Sequence, residues 1–270
     1  MLKDITLGQF FPGNSPIHRM DSRCKIIFNV LFVVILFIGR NFYALGLCAA
    51  FILCVYALSG IKYRMIVKSL RPILPLIVFT GLLNLFFIKS VEESQPLFQY
   101  WFIEIHRVGI ETAIFMIVRI ISLIIGMSLL TYTTSPITLT DAIESLLSPL
   151  KKLKFPAHEL AMMMTIALRY IPILIEETDK IMSAQKARGA TLDSGGLHKR
   201  AKALIPIMIP LFVSAFKHAN ELAMAMECRC YTGGEGRTRL RQLRTTYIDY
   251  IAVIIMLCLL GGAITINVLM

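Results

Sequence analysis

Carboxylates and tryptophan are what this chain has least of, with 17 Asp and Glu and a single Trp among 270 residues. Bilayer phosphotransferases and prenyltransferases need clustered acids to hold a divalent cation. The adjacent acid pairs here are Glu92-Glu93, in a loop between apolar runs, and Glu176-Glu177, on a polar helix face. Neither meets that requirement, so a membrane enzyme is excluded and no catalytic residue is nominated. No G-x-x-x-x-G-K-[ST] segment is present to cradle a nucleotide phosphate. His18, His106, His158, His198 and His218 are scattered, without H-E-x-x-H, and read as surface or core histidines. Six cysteines sit mostly inside apolar runs and make no disulfide frame. Cys228 and Cys230 form a lone C-x-C and read as small residues rather than metal ligands. The first 23 residues contain no apolar core and no small-residue cleavage site, so the N-terminus is expected to stay on the protein.

What is abundant is apolar side chain: 56% of the residues are hydrophobic, 17% charged, and the mean hydropathy is +0.70. That is a membrane composition. A spanning helix needs about 20 apolar residues, with roughly 17 to 25 tolerated. Five segments qualify or nearly do: 24–39, 42–61, 72–88, 110–134 and 247–269. The first is short, and Lys25 and Arg40 are expected to snorkel from its ends to the headgroups. The expected fold is an all-α polytopic membrane protein, organised as 1–134 (N-terminal segment and four spans), 135–246 (cytoplasmic helices) and 247–270 (a last span). With the N-terminus inside, 24 of the 28 Lys and Arg fall on the cytoplasmic side and Arg40, Lys89 and Arg107 outside. This positive-inside bias puts the N-terminus in the cytoplasm and the C-terminus outside. It also explains the net charge of +11 without nucleic acid, which would want basic residues interleaved with exposed aromatics on a soluble face.

Arg119 falls inside the fourth span, where an ionisable group is expensive. Two readings stay open for it: an internal polar contact that holds the bundle, or a place on a substrate path. Glu111 lies nearer the outer end.

The cytoplasmic block begins with "TSPITLTDAIESLLSPL" (134–150), a short helix pattern ending at Pro149 and a basic "KKLKFP" break. Residues 157–188 follow, with apolar positions recurring on one helical face and charge on the other, and a kink expected at Pro172. A second run, 203–230, starts with "ALIPIMIPLFV", broken by Pro206 and Pro210 and too short to span, so a re-entrant, interfacial or protein-covered place is expected for it. Methionines crowd the apolar parts: Met162, Met163, Met164, Met208, Met224 and Met226. A flexible thioether suits a surface that repacks against several partners.

Both runs end alike. Ala187-Arg188-Gly189 and Cys228-Arg229-Cys230 each place one arginine between two small residues, 41 positions apart, before a Gly-rich stretch. A cation near a helix C-terminus is favoured by the dipole, and Gly189 is an ordinary stop residue, so either triplet alone reads as a helix ending. Cys230 stands where the second triplet would use a glycine, with no capping advantage, yet the arginine and its small neighbours are kept. Small flanks admit a partner's backbone, and guanidinium offers a rigid fork to a carboxylate or carbonyl cluster. Two such plugs fit two sockets of a two-lobed partner.

With these residues in view, the chain resembles the transmembrane (T) component of energy-coupling factor (ECF) transporters. The resemblance covers nearly the whole chain and rests on "PGNSPIHRMDSRCK" (12–25), "ALRYIPIL" (167–174), the Ala187-Arg188-Gly189 triplet and "PLFVSAFKHANELAMAMECRCY" (210–231). It implies cytoplasmic coupling helices whose triplets dock into two ATP-binding-cassette ATPases, with Arg188 and Arg229 as the docking arginines. It also implies a separate substrate-binding (S) component, held by the membrane and coupling helices, for vitamin or micronutrient uptake across a prokaryotic plasma membrane. Met162, Met163, Met164, Pro172, Pro206, Met208 and Pro210 are the candidate contacts with that component. No cofactor is expected in this chain, and ATP and Mg²⁺ would be bound by the partner ATPases. The sequence departs from the family pattern at Cys228 and Cys230, which stand in place of Ala and Gly. The substrate is not readable here, because in that family another polypeptide selects it. The alternatives are a permease subunit of another ABC transporter, which also uses coupling helices, and a self-sufficient secondary transporter. The latter usually repeats its spans, whereas here the repeat lies in the cytoplasmic block.

Overall fold

Residues 10–87, 98–100, 103–149, 156–190, 196–233, 243 and 245–269 are described by a computed structural model. It contains ten helices and one short hairpin among those residues. The chain divides into two compact units, one made of Gly8–Ala142 with Leu243–Met270 and the other of Ile143–Gln242.

In the first unit, α1 (Pro16–Arg19) is a single turn started by Ser15, whose Oγ accepts from the His18 backbone N–H, with proline at the first helical position. The His18 ring is held at both nitrogens, Nδ1 at 2.7 Å from Ser15 Oγ and Nε2 at 3.0 Å from the Phe11 carbonyl. Asp21 caps α2 (Ser22–Ile38) by accepting from the Arg23 N–H at 2.9 Å. Then come α3 (Phe42–Ser59), α4 (Tyr63–Leu70), α5 (Leu74–Phe87), the antiparallel pair β1 (Phe98–Tyr100) and β2 (Ile103–Ile105), α6 (Arg107–Thr133) and, starting in this unit, α7 (Pro136–Leu147). The unit closes with α10 (Tyr247–Leu269). The hairpin is the exception to the all-helical expectation. It falls where Phe98, Tyr100, Ile103 and Ile105 bring aromatic and β-branched residues together in a short link between spans.

The core lies where α2, α3, α6 and α10 meet: Phe32, Ile35, Leu36, Leu45, Cys48, Ile52, Ile125, Met256 and Leu259 are buried together. Gly126 makes the α2–α6 approach feasible, since a Cβ there would come within 3.1 Å of the Phe32 ring. Such small residues are what helix pairs in lipid use for close packing. The outer faces, by contrast, carry exposed Val30, Val34, Leu53, Leu58, Ile254 and Leu257, the surface a bilayer covers.

Two buried polar joints tie this unit. Asp249, 2% exposed, accepts from the N–H of Asp21 at 3.0 Å and of Thr246 at 2.7 Å, so one carboxylate caps α10 and clamps the start of α2 to it. Lys25 turns inward instead of snorkelling: its Nζ donates to the Thr133 carbonyl at 3.0 Å, with the His18 carbonyl and Thr134 Oγ1 each at 3.4 Å. A cation at the C-terminus of α6 meets the negative end of that helix, which outweighs a stretch to the headgroups. Arg119 has a similar task at mid-α6. Its Nη2 donates to the Gly39 carbonyl, the end of α2, at 2.6 Å, and its guanidinium lies 4.5 Å from the Phe115 ring centroid. Of the two readings left open, the structure shows the contact that holds the bundle.

The second unit contains α8 (Ala157–Ala187) and α9 (Leu197–Cys228). Pro172 lies inside α8, and Pro206 and Pro210 inside α9, without ending either helix. The apolar "ALIPIMIPLFV" segment is thus the middle of a 32-residue helix and not a short re-entrant piece. By length and composition five helices among the described residues suffice to cross a membrane: α3, α6, α8, α10 and Lys202–Cys228 of α9. At 17 residues α2 falls just short of them, while α4 and α5 form one bent pair. The basic break at 151–155 and most of the Gly-rich stretch after Arg188 lie outside the described residues.

Candidate docking site at the ends of two long helices

Proline has no N–H, so each internal proline frees a carbonyl four residues back. In α9 the carbonyl freed by Pro210 is that of Pro206, and Gln185 of α8 donates its Nε2–H to it at 3.2 Å. Eight residues back along α8, Glu177 accepts a short hydrogen bond from Ser214 Oγ and lies 3.6 Å from His218 Nε2. The His218 ring lies 6.1 Å from that of Tyr170 and its Nδ1 is 3.6 Å from Glu221. A further pin ties α7 to α8, where His158 Nδ1 and Glu144 Oε1 are 3.0 Å apart. None of these polar pins was foreseen. Each sits on what reads in sequence as a solvated face, and only the i−4 relation of Pro210 to Pro206 hinted at one.

The pairs 185 with 206, 177 with 214 and 170 with 218 run in opposite directions. The two helices are therefore antiparallel. From the 177/214 crossing, α8 runs eleven residues to Arg188 and α9 fifteen to Arg229. At about 1.5 Å per residue the two arginines point to opposite ends of the pair, about 30–40 Å apart.

The two ends are built alike. Arg188 is the residue that closes α8, followed by Gly189 with φ +86°. The Gly189 N–H bonds the Lys186 carbonyl at 3.0 Å and the Ala190 N–H bonds that of Gln185 at 3.0 Å. Arg229 closes α9, followed by Cys230 with φ +53°. The Cys230 N–H bonds the Glu227 carbonyl at 2.8 Å and the Tyr231 N–H that of Met226 at 3.0 Å. Both are Schellman endings with a left-handed residue just past the arginine. Cys230 takes the glycine's conformation without the glycine's freedom, in keeping with its offering no capping advantage. An L-residue there is strained by about 1 kcal/mol.

All six residues, Ala187, Arg188, Gly189, Cys228, Arg229 and Cys230, are exposed. Neither arginine has an ion pair or side-chain hydrogen bond among the described residues. The immediate charges differ: exposed Lys186 lies beside the first tip and exposed Glu227 beside the second. No cluster of His, Cys, Asp and Glu positioned for a metal is found among the described residues, the C-x-C pair included.

The remaining candidates do not form one patch. Met163 and Met164 are 57% and 38% exposed, with Met162 half-buried beside them, on the part of α8 that runs towards the Arg229 end. Pro206 and Met208 are exposed, and Pro210 half-buried, nearer the Arg188 end. Pro172 is exposed between them. The apolar run at 203–213, expected to be interfacial, re-entrant or protein-covered, forms part of a broader face that continues to Phe216. Ile205, Ile209, Phe212, Val213 and Phe216 are 51 to 69% exposed on the side of α9 turned from α8. Their i, i+4, i+7, i+8, i+11 spacing is the signal that marks such a face.

The description "CbiQ: Cobalt transport protein" belongs to the family model that matches residues 13–240. Proteins named "Energy-coupling factor transporter transmembrane protein EcfT" are similar over nearly their whole length. That of Thermosediminibacter oceani is 52% identical over 255 residues, 94% of each chain, and that of Clostridium kluyveri 51% over 252 residues, 93% of each. The Bacillus subtilis protein is 45% identical over 259 residues, covering 96% of this chain and 97% of its own.

Proposed function

The chain belongs to the family described as cobalt transport protein, CbiQ, and from that membership we propose that it couples two ATP-binding-cassette ATPases to a separate substrate-binding component. It is a transmembrane component of an energy-coupling factor transporter. In this reading α8 and α9, though long and apolar enough to cross a membrane, are a cytoplasmic lever. Charges such as Arg169, Glu176, Glu177, Asp179 and Lys180 along α8 are costly inside a bilayer. Each ATPase receives one tip, Arg188 with Ala187 and Gly189 or Arg229 with Cys228 and Cys230. Closing the ATPase pair on ATP moves the tips together, and the pinned crossing passes that movement on. ATP and Mg²⁺ stay with the partners, and this chain performs no chemistry of its own.

One observation carries the reading: two exposed arginines occupy the same register in the same helix ending, at opposite ends of an antiparallel pair. A small domain is about 30 Å across, so tips spread this far call for two receptors. The unlike charges beside them, Lys186 and Glu227, call for receptors that are not interchangeable. The apolar face of α9 from Ile205 to Phe216, with Met208 and the Met162–Met164 group, supports contact with the substrate-binding component, whose own chemistry would select a vitamin or a metal. The setting is a prokaryotic plasma membrane, with the N-terminus cytoplasmic and the C-terminus outside.

Co-expression with the partner ATPases tests this. Arg188→Glu with Arg229→Glu is expected to abolish copurification while the protein still inserts and folds. Recruitment unchanged in that double variant would defeat the proposal, and ion-driven uptake without any ATPase would point to a secondary transporter instead.

A further inference from the structure

Between Asp21 and Glu92 the sequence contains no acidic residue, yet Lys62, Arg64, Lys68 and Arg71 gather within ten positions. In sequence they read as a basic loop between two spans. They fold instead as α4 and its two caps, bent by 63° from the direction of α5. Only three residues separate α3 from α4, and three separate α4 from α5. Apolar α3 and α5 thus hold α4 on short links, and the bend turns it away from the direction of α5.

Successive helical residues are about 100° apart, which sorts α4 into three faces. Met65 and Ser69 face α6: Ser69 Oγ makes a short hydrogen bond with the Tyr132 hydroxyl, which also lies 3.4 Å from the Met65 carbonyl. On the opposite side Tyr63 is 70% and Val67 60% exposed. Arg64 and Lys68 form the adjoining arc, continued by Arg71, and all three are exposed without an ion pair among the described residues. Nothing in this unit's described residues covers the two apolar side chains, and nothing neutralises the cations next to them.

We propose that α4 is an interfacial helix that binds the headgroup layer of anionic phospholipids, with Tyr63 and Val67 at the headgroup–acyl boundary and Arg64, Lys68 and Arg71 on the phosphates. A helix lying in that plane wants an apolar stripe bordered by a basic arc, which is the arrangement here. Negative lipid strengthens the contact through each nearby cation. An acidic protein surface could meet the arc, but it would leave exposed Tyr63 and Val67 without the apolar partner that the headgroup–acyl boundary supplies.

Full-length protein carrying Tyr63→Trp and Trp101→Phe, in vesicles of phosphatidylcholine with phosphatidylglycerol, gives the test. Lipids brominated on the acyl chain quench an indole they touch. The introduced indole is expected to be quenched by both, with brominated phosphatidylglycerol associating more strongly than brominated phosphatidylcholine. Arg64→Gln, Lys68→Gln and Arg71→Gln should each weaken that preference about fivefold. Arg64→Lys with Arg71→Lys keeps the charges and should keep the preference. An unquenched indole, or equal quenching by the two lipids in the parent, would overturn the proposal. So would loss of the preference in the lysine variant, or shielding of the indole that appears only on adding an ATP-binding subunit.

Discussion

A spin label on Ala187→Cys and another on the native Cys228, with the other cysteines replaced, would measure how far apart the two tips stand. The α8–α9 crossing is fixed by Glu177 with Ser214, and by Gln185 on the Pro206 carbonyl. From there the helices run eleven residues one way to Arg188 and fifteen the other way to Arg229. A rise of about 1.5 Å per residue gives arms of about 16 and 22 Å, hence about 40 Å for a straight antiparallel pair and somewhat less where the axes cross at an angle. A parallel pair would bring the tips to about 10 Å, little more than the distance between packed helices. Double electron–electron resonance on the protein in nanodiscs separates these cases. A distribution centred at about 30–40 Å agrees with the lever geometry; one centred near 10 Å refutes it, and with it the need for two separate receptors.

Three more positions give predictions from their own contacts. Cys230→Gly relieves a left-handed L-residue, so the ending of α9 gains about 1 kcal/mol and the Tyr231 amide, bonded to Met226, exchanges about fivefold more slowly; faster exchange would contradict it. Asp249→Ala strips two backbone N–H groups of their acceptor and is expected to destabilise the first unit by about 2–4 kcal/mol, with Asp249→Asn losing about half of that, as thermal unfolding in detergent would record. Arg119→Met removes the hydrogen bond that closes α2 and the stacking on Phe115, for about 1–3 kcal/mol in the same assay; transport lost at unchanged stability would restore the substrate-path reading.

The sequence pattern foretold the long elements well because each depends on a local period. The fourth span, expected over 110–134, is Arg107–Thr133, and the coupling helix expected over 157–188 is Ala157–Ala187 with Arg188 as its cap. What failed to show in sequence was decided by partners distant in the chain. Lys25 reads as a snorkelling residue until Thr133 is placed beside it, 108 positions away. Pro206 and Pro210 read as breaks, because nothing in sequence places Gln185 where it takes up the Pro206 carbonyl that Pro210 strands. Cys230 looked neutral because the left-handed turn it occupies is imposed by the Tyr231 bond to Met226 and not by its own preference. The twin arginines were visible as a repeated device, but their opposite directions belong to the packing of α8 on α9 and to no motif.

The most direct measurement is a structure of this chain assembled with its ATP-binding subunits in a lipid nanodisc. The lever account predicts Arg188 and Arg229 each seated in a different subunit, with the small residues on either side against that subunit's backbone. Either arginine surrounded by water, or folded back onto α7, α8 or α9, would contradict it.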